Sequence, residues 1–226
     1  MHKRQFSFKT DCEDTMMDIV IPYSYSFTEE LKYTIRSLKN LPHRNVYILG
    51  DKTHEDVIHI RGDWSIQNAY RNQIEKYLTA CKIPEVSDMF IATNDDIFIM
   101  KKWKPVYYNK GDLADNTAKL KRWDTYTRSL KDTLNYLQQN NLPTINFETH
   151  TPFVYDKTKL KDLIESLDFN HNIYQIRSIY GNTYSIKSQQ ITDVKNTKNF
   201  RELDIISTQD STFSGEIGKY IKECFT

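Results

Sequence analysis

Two adjacent aspartates, Asp95 and Asp96, lie in a run from Met89 to Met100 that is otherwise largely apolar on both sides. A buried carboxylate without a counter-charge is costly, so two neighbouring ones predict a cation at this point. Carboxylate oxygens are hard ligands that suit Mg²⁺ or Mn²⁺, and Mg²⁺ is usually completed by waters and substrate phosphates. With Asn94 beside them, the pair indicates a clamp for a metal and a diphosphate. The alternative is a plain turn, since Asn and Asp favour turns.

A second candidate group is Glu148 with His150, in the stretch from Ile145 to Phe153. In an extended strand alternate side chains share a face, so the acid and the imidazole are expected to meet in one pocket. The alternative is an ion pair at the edge of a strand.

Short apolar segments that end in loops must position these side chains. The expected elements are, in chain order, a strand at 18–23, a helix at 28–38, a strand at 45–49, a short strand within 54–60, a helix at 66–81 and a strand that ends at Asn94. Strand, helix, strand at these spacings predicts a βαβ unit with buried parallel strands. Ligands of such sheets bind at the carboxyl ends of the strands, where Tyr23, Asp51 and Asn94 are expected to converge.

The middle of the chain is less regular. Residues 107–116 contain turn-forming residues without apolar periodicity, which predicts a mobile lid over a bound donor. A helix at 130–137 follows. Trp123 and Tyr126 are candidates to stack on a sugar or a base, with a place in the core as the alternative. The run 119–123 mixes cations with an aromatic residue, as phosphate, sugar or nucleic-acid surfaces do, or forms a solvated face.

The order of these segments resembles that in nucleotide-diphospho-sugar transferases of the GT-A type, whose acidic metal motif follows a strand. Several segments are also similar to blocks of the Stealth family of capsular polysaccharide sugar-phosphate transferases, namely residues 30–38, 46–51, 90–98, 150–153 and 177–182. The opening Stealth block carries a Trp and a second Asp that residues 18–23 lack. That departure favours ordinary glycosyl transfer over phosphate transfer.

The resemblance implies roles for the candidate residues. A downstream acid of GT-A enzymes commonly deprotonates the acceptor hydroxyl, and a downstream His commonly contacts the metal or the diphosphate. Cations must also neutralise the leaving diphosphate. The expected roles are Mn²⁺ or Mg²⁺ on Asp95, Asp96 and His150, a base at Glu148 with Asp210 as its rival, contacts to the donor from Asn94, Arg71 and Arg177, and a nucleoside near Tyr23 and Asp51. For both arginines the alternative is a structural salt bridge.

Composition restricts the class of protein. The 226 residues carry a formal net charge of +1, so no global field recruits a polyanion. No Pro- or Gly-rich linker divides the chain, which predicts a polar arm at 1–15 and a single domain at 16–226. Three widely spaced cysteines form neither a disulfide framework nor a zinc motif. No stretch reaches the ~20 apolar residues of a membrane span, and no apolar signal core is present. We therefore expect a cytoplasmic protein.

These observations predict an α/β protein with a GT-A-like αβα sandwich around a mostly parallel sheet. Its expected activity is metal-dependent transfer of a sugar from a nucleotide-sugar, such as a UDP-sugar, to a hydroxyl of a polysaccharide, a glycolipid or modified DNA. One alternative is a Stealth-like transferase of sugar 1-phosphate. The other is an inactive module that binds sugar or nucleic acid.

Overall fold

The computed structural model describes residues 16–23, 29–50, 57–64, 69–121 and 124–226. The strands of this part of the chain are β1 (Asp18–Pro22), β2 (Val46–Leu49), β3 (Ile58–Ile60), β4 (Met89–Ala92), β5 (Ile97–Ile99), β6 (Tyr108–Asn109), β7 (Phe153–Asp156), β8 (Gln189–Gln190) and β9 (Ile205–Ser207). The helices are α1 (Glu29–Ser37), α2 (Ala69–Lys82), α3 (Leu113–Ala118), α4 (Thr125–Gln139), α5 (Lys157–Ser166), α6 (Ile176–Thr183), α7 (Asp210–Phe213) and α8 (Glu216–Cys224), with 3-10 turns at Leu38–Asn40 and Phe200–Glu202.

The central sheet has the strand order β3-β2-β1-β4-β7. The first four of these strands are parallel, and β7 runs antiparallel to β4 at one edge. The predicted α/β fold with a mostly parallel central sheet is therefore confirmed. The carboxyl ends of β1, β2 and β4 lie on the same side of the sheet because parallel strands share a direction.

Alternation of side chains along β1 divides the core between the two faces of the sheet. Val20 joins an apolar cluster with residues of α2, α5 and α6. Ile19 and Ile21 join the opposite cluster with residues of α1 and β5. These side chains are fully buried. The sheet is thus covered on both faces, as a parallel sheet requires.

The apolar run around the aspartates is not one strand. It is split into β4 and β5, and β5 leaves the central sheet to pair antiparallel with β9. Helix α1 fixes the position of β5, because the Ser37 hydroxyl accepts a 3.0 Å hydrogen bond from the Ile99 N–H. The aspartates therefore lie at the point where the chain passes from one sheet to another.

Residues 107–116, predicted to be a mobile lid, are instead tied into the fold. Strand β6 pairs with β8, and Asp112 caps α3 by accepting a 2.7 Å hydrogen bond from the Ala114 N–H. Leu113 is fully buried against α4. The lid prediction was wrong because a single buried leucine in a short helix leaves no visible periodicity.

The stretch 145–152, predicted to be a strand, has one antiparallel β-bridge among the described residues, from Ile145 to Asp112, and is also held by helix α6. Asn182 in α6 accepts a hydrogen bond from the Ile145 N–H at 3.0 Å and donates one to the Ile145 carbonyl at 2.8 Å. Gly181 lies under the Phe147 ring, where a Cβ would approach a ring carbon to 2.6 Å. Gly181 and Asn182 are thus part of α6.

No helix in the described ranges combines the length and the apolar character that crossing a membrane requires. Of the cysteines, Cys81 is buried and Cys224 is exposed, and both are free.

Candidate active site at the carboxyl ends of the strands

The ends of β1 and β2 are joined by a close backbone contact. Gly50 has φ +152°, and a Cβ at this position would lie 1.7 Å from the Tyr23 carbonyl oxygen, so glycine is required. The same carbonyl accepts a hydrogen bond from the buried ammonium of Lys76. Tyr23 is 1% exposed and its ring packs in the core. The Tyr23 ring is therefore not available to a ligand, and the expected position of a nucleoside near Tyr23 stays a prediction.

The residues after β4 form what we call the acidic turn, made of Asn94, Asp95 and Asp96. The Thr34 hydroxyl of α1 donates a 2.6 Å hydrogen bond to the Asp95 carbonyl. The Thr208 N–H, just after β9, donates a 3.1 Å hydrogen bond to the Asp96 carbonyl. The backbone of the turn is thus fixed between a helix and a segment from the end of the chain.

The side chains of the acidic turn are short of hydrogen-bond donors. Asp96 Oδ2 pairs with Lys195 Nζ at 3.0 Å, whereas Asp96 Oδ1 and Asn94 Oδ1 are buried without a hydrogen-bond partner among the described residues. Burial, together with the charge of Asp96, raises the pKa of the Asp95 carboxyl to about 7. Amide and carboxylate oxygens in this state form a suitable donor set for a hard cation.

A further acid, Glu30 at the start of α1, lies next to the acidic turn. It accepts a 2.7 Å hydrogen bond from the Thr208 hydroxyl. Burial raises the pKa of Glu30, and the nearby charges of Asp96 and Asp210 act in the same direction. Sequence reasoning missed Glu30 as a site residue, although an acid in the first turn of the helix that follows β1 was a usable signal.

The metal ligands predicted from sequence are not gathered into one cluster. Among the residues that the structure describes, no group of three or more His, Cys, Asp or Glu side chains is arranged to hold a metal ion. A cation on the acidic turn would therefore take its other ligands from Asn94, waters and a donor's phosphates, as Mg²⁺ commonly does. The assignment of Asp95, Asp96 and His150 as ligands stays a prediction.

Next to the acidic turn is a cavity of roughly 250 Å³, which we call the central cavity. It brings together four of the residues predicted to act at the site, namely Asn94, Glu148, His150 and Arg177. Its remaining wall is mostly aromatic or amide, from Tyr70, Gln73, Tyr77, Tyr126, Thr149, Tyr174, Gln175 and Ile176. A ligand in this cavity would touch both the acidic turn and the Glu148–His150 stretch.

Glu148 is positioned by the start of α6. Its Oε1 accepts hydrogen bonds from the Ser178 N–H at 2.9 Å and from the Ser178 hydroxyl at 3.1 Å. The N-terminal end of a helix favours a negative charge, so this contact stabilises the carboxylate. Both hydrogen bonds go to one oxygen, which leaves Oε2 for another partner.

His150 is positioned by Asp193, a residue that sequence reasoning missed. His150 Nδ1 lies 2.8 Å from one Asp193 oxygen and 2.9 Å from the other, and Lys110 Nζ lies 3.0 Å from Asp193. Although burial opposes it, the hydrogen bond and charge of His150 and the charge of Lys110 hold the pKa of Asp193 well below its usual range. An ionised carboxylate can only accept, so Nδ1 carries the proton and Nε2 is left for a ligand.

The two predicted arginines differ in their surroundings. Arg177 is buried, and its Nη1 donates to the carbonyls of Thr149 at 2.7 Å and Thr151 at 2.8 Å, so it supports the backbone on either side of His150. Arg71 pairs with Glu75 at 3.0 Å on the exposed side of α2 and lines neither cavity described here. Arg177 is thus the arginine at the central cavity.

The remaining predicted residues lie outside the central cavity or outside the described residues. Asp210 is exposed at the first position of α7 and does not line the central cavity. Asp51 and Trp123 lie outside the described residues, as does the predicted arm at 1–15. Lys195, which pairs with Asp96, was missed together with Asp193, because nothing in residues 189–196 marks them locally.

A second cavity of roughly 400 Å³, which we call the side cavity, adjoins the first. Tyr126 lines both cavities. Asp193 lines the side cavity and His150 lines the central cavity, so their hydrogen bond lies between the two. The other lining residues of the side cavity are Lys110, Asn116, Lys119, Leu120, Leu130, Asn146, Ile191 and Thr192.

Comparison with known proteins gives similarity to solved structures alone. No protein-family model matches the chain and no curated protein matches it, so the resemblance to the Stealth family stays a prediction. An active-site mutant of LgtC is 9% identical, with 92% of this chain and 95% of that chain covered and a TM-score of 0.49. A second structure, 4-diphosphocytidyl-2C-methyl-D-erythritol synthase, is 8% identical, with 92% of this chain and 99% of that chain covered and a TM-score of 0.47.

A third solved structure is CMP:2-keto-3-deoxy-manno-octonic acid synthetase complexed with CTP. It is 11% identical, with 86% of this chain and 89% of that chain covered and a TM-score of 0.40. At these identities and scores we base the proposed function on the geometry of the site.

Proposed function

We propose that the chain is a metal-dependent glycosyltransferase that moves a sugar from a nucleotide-diphospho-sugar to an acceptor hydroxyl. The observation that carries this proposal is the acidic turn at the end of β4. Buried, unpartnered oxygens of Asn94 and Asp96 adjoin an Asp95 carboxyl whose pKa is raised to about 7. Such a group is stabilised by a cation, and a cation at the carboxyl ends of parallel strands is well placed for a diphosphate.

The donor would lie across the strand ends. Its nucleoside would lie near the Tyr23 backbone and Asp51, and its diphosphate beside the acidic turn. Mn²⁺ or Mg²⁺ held by Asp95 and Asp96 would stabilise the negative charge that develops on the leaving diphosphate. The sugar would enter the central cavity, whose aromatic and amide wall suits a polar ring with apolar faces.

The side chains of the central cavity would accept the proton of the acceptor hydroxyl and orient the donor. In the transfer, the acceptor hydroxyl oxygen forms a bond to the anomeric carbon, and the bond from that carbon to the diphosphate oxygen breaks. The hydroxyl proton passes to Oε2 of Glu148, while Oε1 stays bonded to Ser178. The unprotonated Nε2 of His150 would offer its lone pair to the metal, whereas a doubly protonated ring would donate a hydrogen bond from Nε2 to a diphosphate oxygen. Asp210 is the alternative base, supported less because it lies outside the central cavity.

A thermal-shift screen of nucleotide-sugars with and without Mn²⁺ tests the proposal. A ligand that binds only the folded state at about 100 times its Kd adds about 2.7 kcal/mol of stability, which is a readily measured rise in Tm. We expect one class of nucleotide-sugar to raise the Tm in the presence of Mn²⁺ and to have little effect in EDTA. A chain that no nucleotide-sugar stabilises under either condition contradicts the proposal.

The products distinguish the type of transfer. With a polysaccharide, a glycolipid or modified DNA as acceptor, glycosyl transfer gives a glycosidic bond and a free nucleoside diphosphate. A phosphodiester in the product, detected by phosphorus NMR, identifies transfer of sugar 1-phosphate instead.

A further inference from the structure

We infer that the side cavity binds the acceptor, and that this acceptor is a sugar unit carrying a phosphate or a carboxylate group. The inference rests on the function proposed above and names the substrate class that the transferase would use. Nothing in the proposed handling of the donor requires the side cavity, so it is available for a second substrate.

The walls of the side cavity suit a sugar ring. Leu120 and Ile191 provide apolar surface and Tyr126 provides an aromatic ring. Asn116 and Asn146 provide amides whose orientation is fixed, because Asn146 Nδ2 donates a 2.6 Å hydrogen bond to Asn116 Oδ1. Sugar sites combine apolar or aromatic surface with a few oriented polar groups in this way.

The charge of the lining favours an anion. Two lysines, Lys110 and Lys119, and one aspartate, Asp193, line the cavity. Lys110 is already paired with Asp193 at 3.0 Å, whereas Lys119 is exposed and forms no ion pair with any described residue. Lys119 also begins the basic run that sequence analysis singled out and that the donor site does not use. An ammonium in this position attracts a phosphate or a carboxylate of a bound ligand.

The position of the side cavity makes its occupant a neighbour of the donor sugar. Tyr126 is common to both cavities, and the hydrogen bond between His150 and Asp193 lies between them. A hydroxyl of a sugar in the side cavity would lie near the His150–Asp193 pair, beyond which the central cavity begins. An anionic ligand bound there is thus placed to be the acceptor rather than a distant effector.

The test is a binding titration of the full chain, loaded with Mn²⁺ and UDP, with three probes followed by NMR. The probes are a hexose 6-phosphate, a hexuronate and the neutral hexose. We expect both anionic sugars to bind more tightly than the neutral sugar, with the difference reduced by salt. Of the two anions, the one bound more tightly identifies the acidic group of the acceptor.

Two lysine variants locate the binding. Lys119→Gln should weaken the anionic sugars about five- to tenfold and leave the neutral sugar unchanged. Lys121→Gln is the matched control, because Lys121 is an exposed lysine of the same run that does not line the cavity, and its effect should stay within about twofold. Equal effects of the two variants would show general charge attraction and would overturn the inference.

A variant that fills the cavity separates this inference from the proposed function. Thr192 is exposed and lines the side cavity, so Thr192→Trp should block all three sugars, Thr192→Ser should block none, and both should keep Mn²⁺-dependent UDP binding. If UDP binds but no sugar responds to Lys119→Gln or Thr192→Trp, the acceptor site is overturned and the donor site stands. If sugars bind but no nucleoside diphosphate does, the side cavity is not an acceptor site and the proposed function fails with it.

Discussion

The pKa values of two carboxyl groups in the candidate site are shifted in opposite directions. One belongs to Asp95 in the acidic turn and the other to Asp193 beside His150. Burial and the charge of Asp96 raise the pKa of Asp95 to about 7. Asp193 is also desolvated, yet the hydrogen bond and charge of His150 and the charge of Lys110 keep its pKa well below the usual range. The difference between the two therefore lies in their partners.

The comparison separates the part of the site that the protein completes from the part that it leaves to a ligand. Glu148, His150 and Asp193, which we call the hydrogen-bonded wall, obtain their partners from Ser178 and Lys110. In the acidic turn, two buried oxygens have no hydrogen-bond donor among the residues that the structure describes. We expect the wall to be preorganised without ligand and the turn to reach its most stable state only with a cation.

The largest effect is expected from Glu148→Gln, which leaves the wall in place and removes its proton acceptor. A glutamine oxygen can still accept the Ser178 hydrogen bonds, so affinity for the nucleotide-sugar should be unchanged while turnover falls about 10²- to 10⁴-fold. Steady-state kinetics with a donor titration measures both. Glu75→Gln, on the exposed side of α2, is the control. Full turnover in Glu148→Gln would place the base elsewhere, with Asp210 as the next candidate.

Asp96→Asn should break the acidic turn as a cation site without disturbing the wall. Loss of one anionic ligand is expected to weaken Mn²⁺-dependent UDP binding about 100-fold or more, measured by titration calorimetry. Asp204→Asn removes a comparable acid that pairs with Lys101 at 2.9 Å on the surface, and it should bind UDP normally. If Asp96→Asn binds UDP with unchanged affinity in the presence of Mn²⁺, the acidic turn is not a cation site and has a structural role alone.

Asp95→Asn should stabilise the metal-free protein at alkaline pH. The folded pKa of Asp95, about 7, lies above the 3.8 of an aspartate in the unfolded chain. The folded state therefore holds a proton that the unfolded state has lost, and stability falls as the pH rises from about 4 to about 7. At pH 8 in EDTA the variant should gain about 2–4 kcal/mol in the free energy of unfolding, and at pH 4 little. Urea unfolding at both pH values measures this, and a loss of stability at pH 8 would contradict it.

The smallest effect is expected from Asp193→Asn, which weakens the wall. Because the folded pKa of Asp193 is lowered, its contribution is present above the unfolded pKa and is lost as the pH falls through the folded pKa. At pH 7 the variant should lose about 1–2 kcal/mol of stability and release the His150 tautomer, which nitrogen NMR of the ring detects.

A matched control for this variant exists on the surface. His171 Nδ1 and Asp168 also lie 2.8 Å apart, but both side chains are exposed. Asp168→Asn should leave both stability and the His150 tautomer unchanged. If the two variants behave alike, the His150–Asp193 contact contributes no more than an ordinary surface ion pair. The opposite pKa shifts of Asp95 and Asp193 would then have no consequence for stability.

Local sequence patterns were sufficient where the structure depends on local order. The β-branched run of β1, the helical spacing of α1 and the apolar run of β4 all predict their elements, and the acidic turn falls at a strand end as expected. Local patterns failed to predict elements whose pairing partners lie far along the chain. The pairing of β5 with β9 is invisible near Ile97, so the sequence predicted the strand that precedes the acidic turn and missed the strand that follows it.

The same reason explains the site residues that were missed. Asn94, Glu148 and His150 are found from residue type and local spacing and Arg177 from the resemblance to known families, and all four line the central cavity. Asp193 acquires its importance only because the fold brings it to His150, 43 residues earlier in the chain. No periodicity or motif reports such a contact.

The distant partners of the acidic turn also set the order in which the protein matures during synthesis. Every strand of the central sheet precedes residue 157, whereas Lys195 is 99 residues beyond Asp96 and Thr208 is 178 residues beyond Glu30. Contacts of such long sequence separation form late, because the loop between their ends must first be closed. A nascent chain therefore completes its sheet before its acidic turn, and a fragment that stops before Lys195 would lack the partners that position the side chains of Asp96 and Glu30.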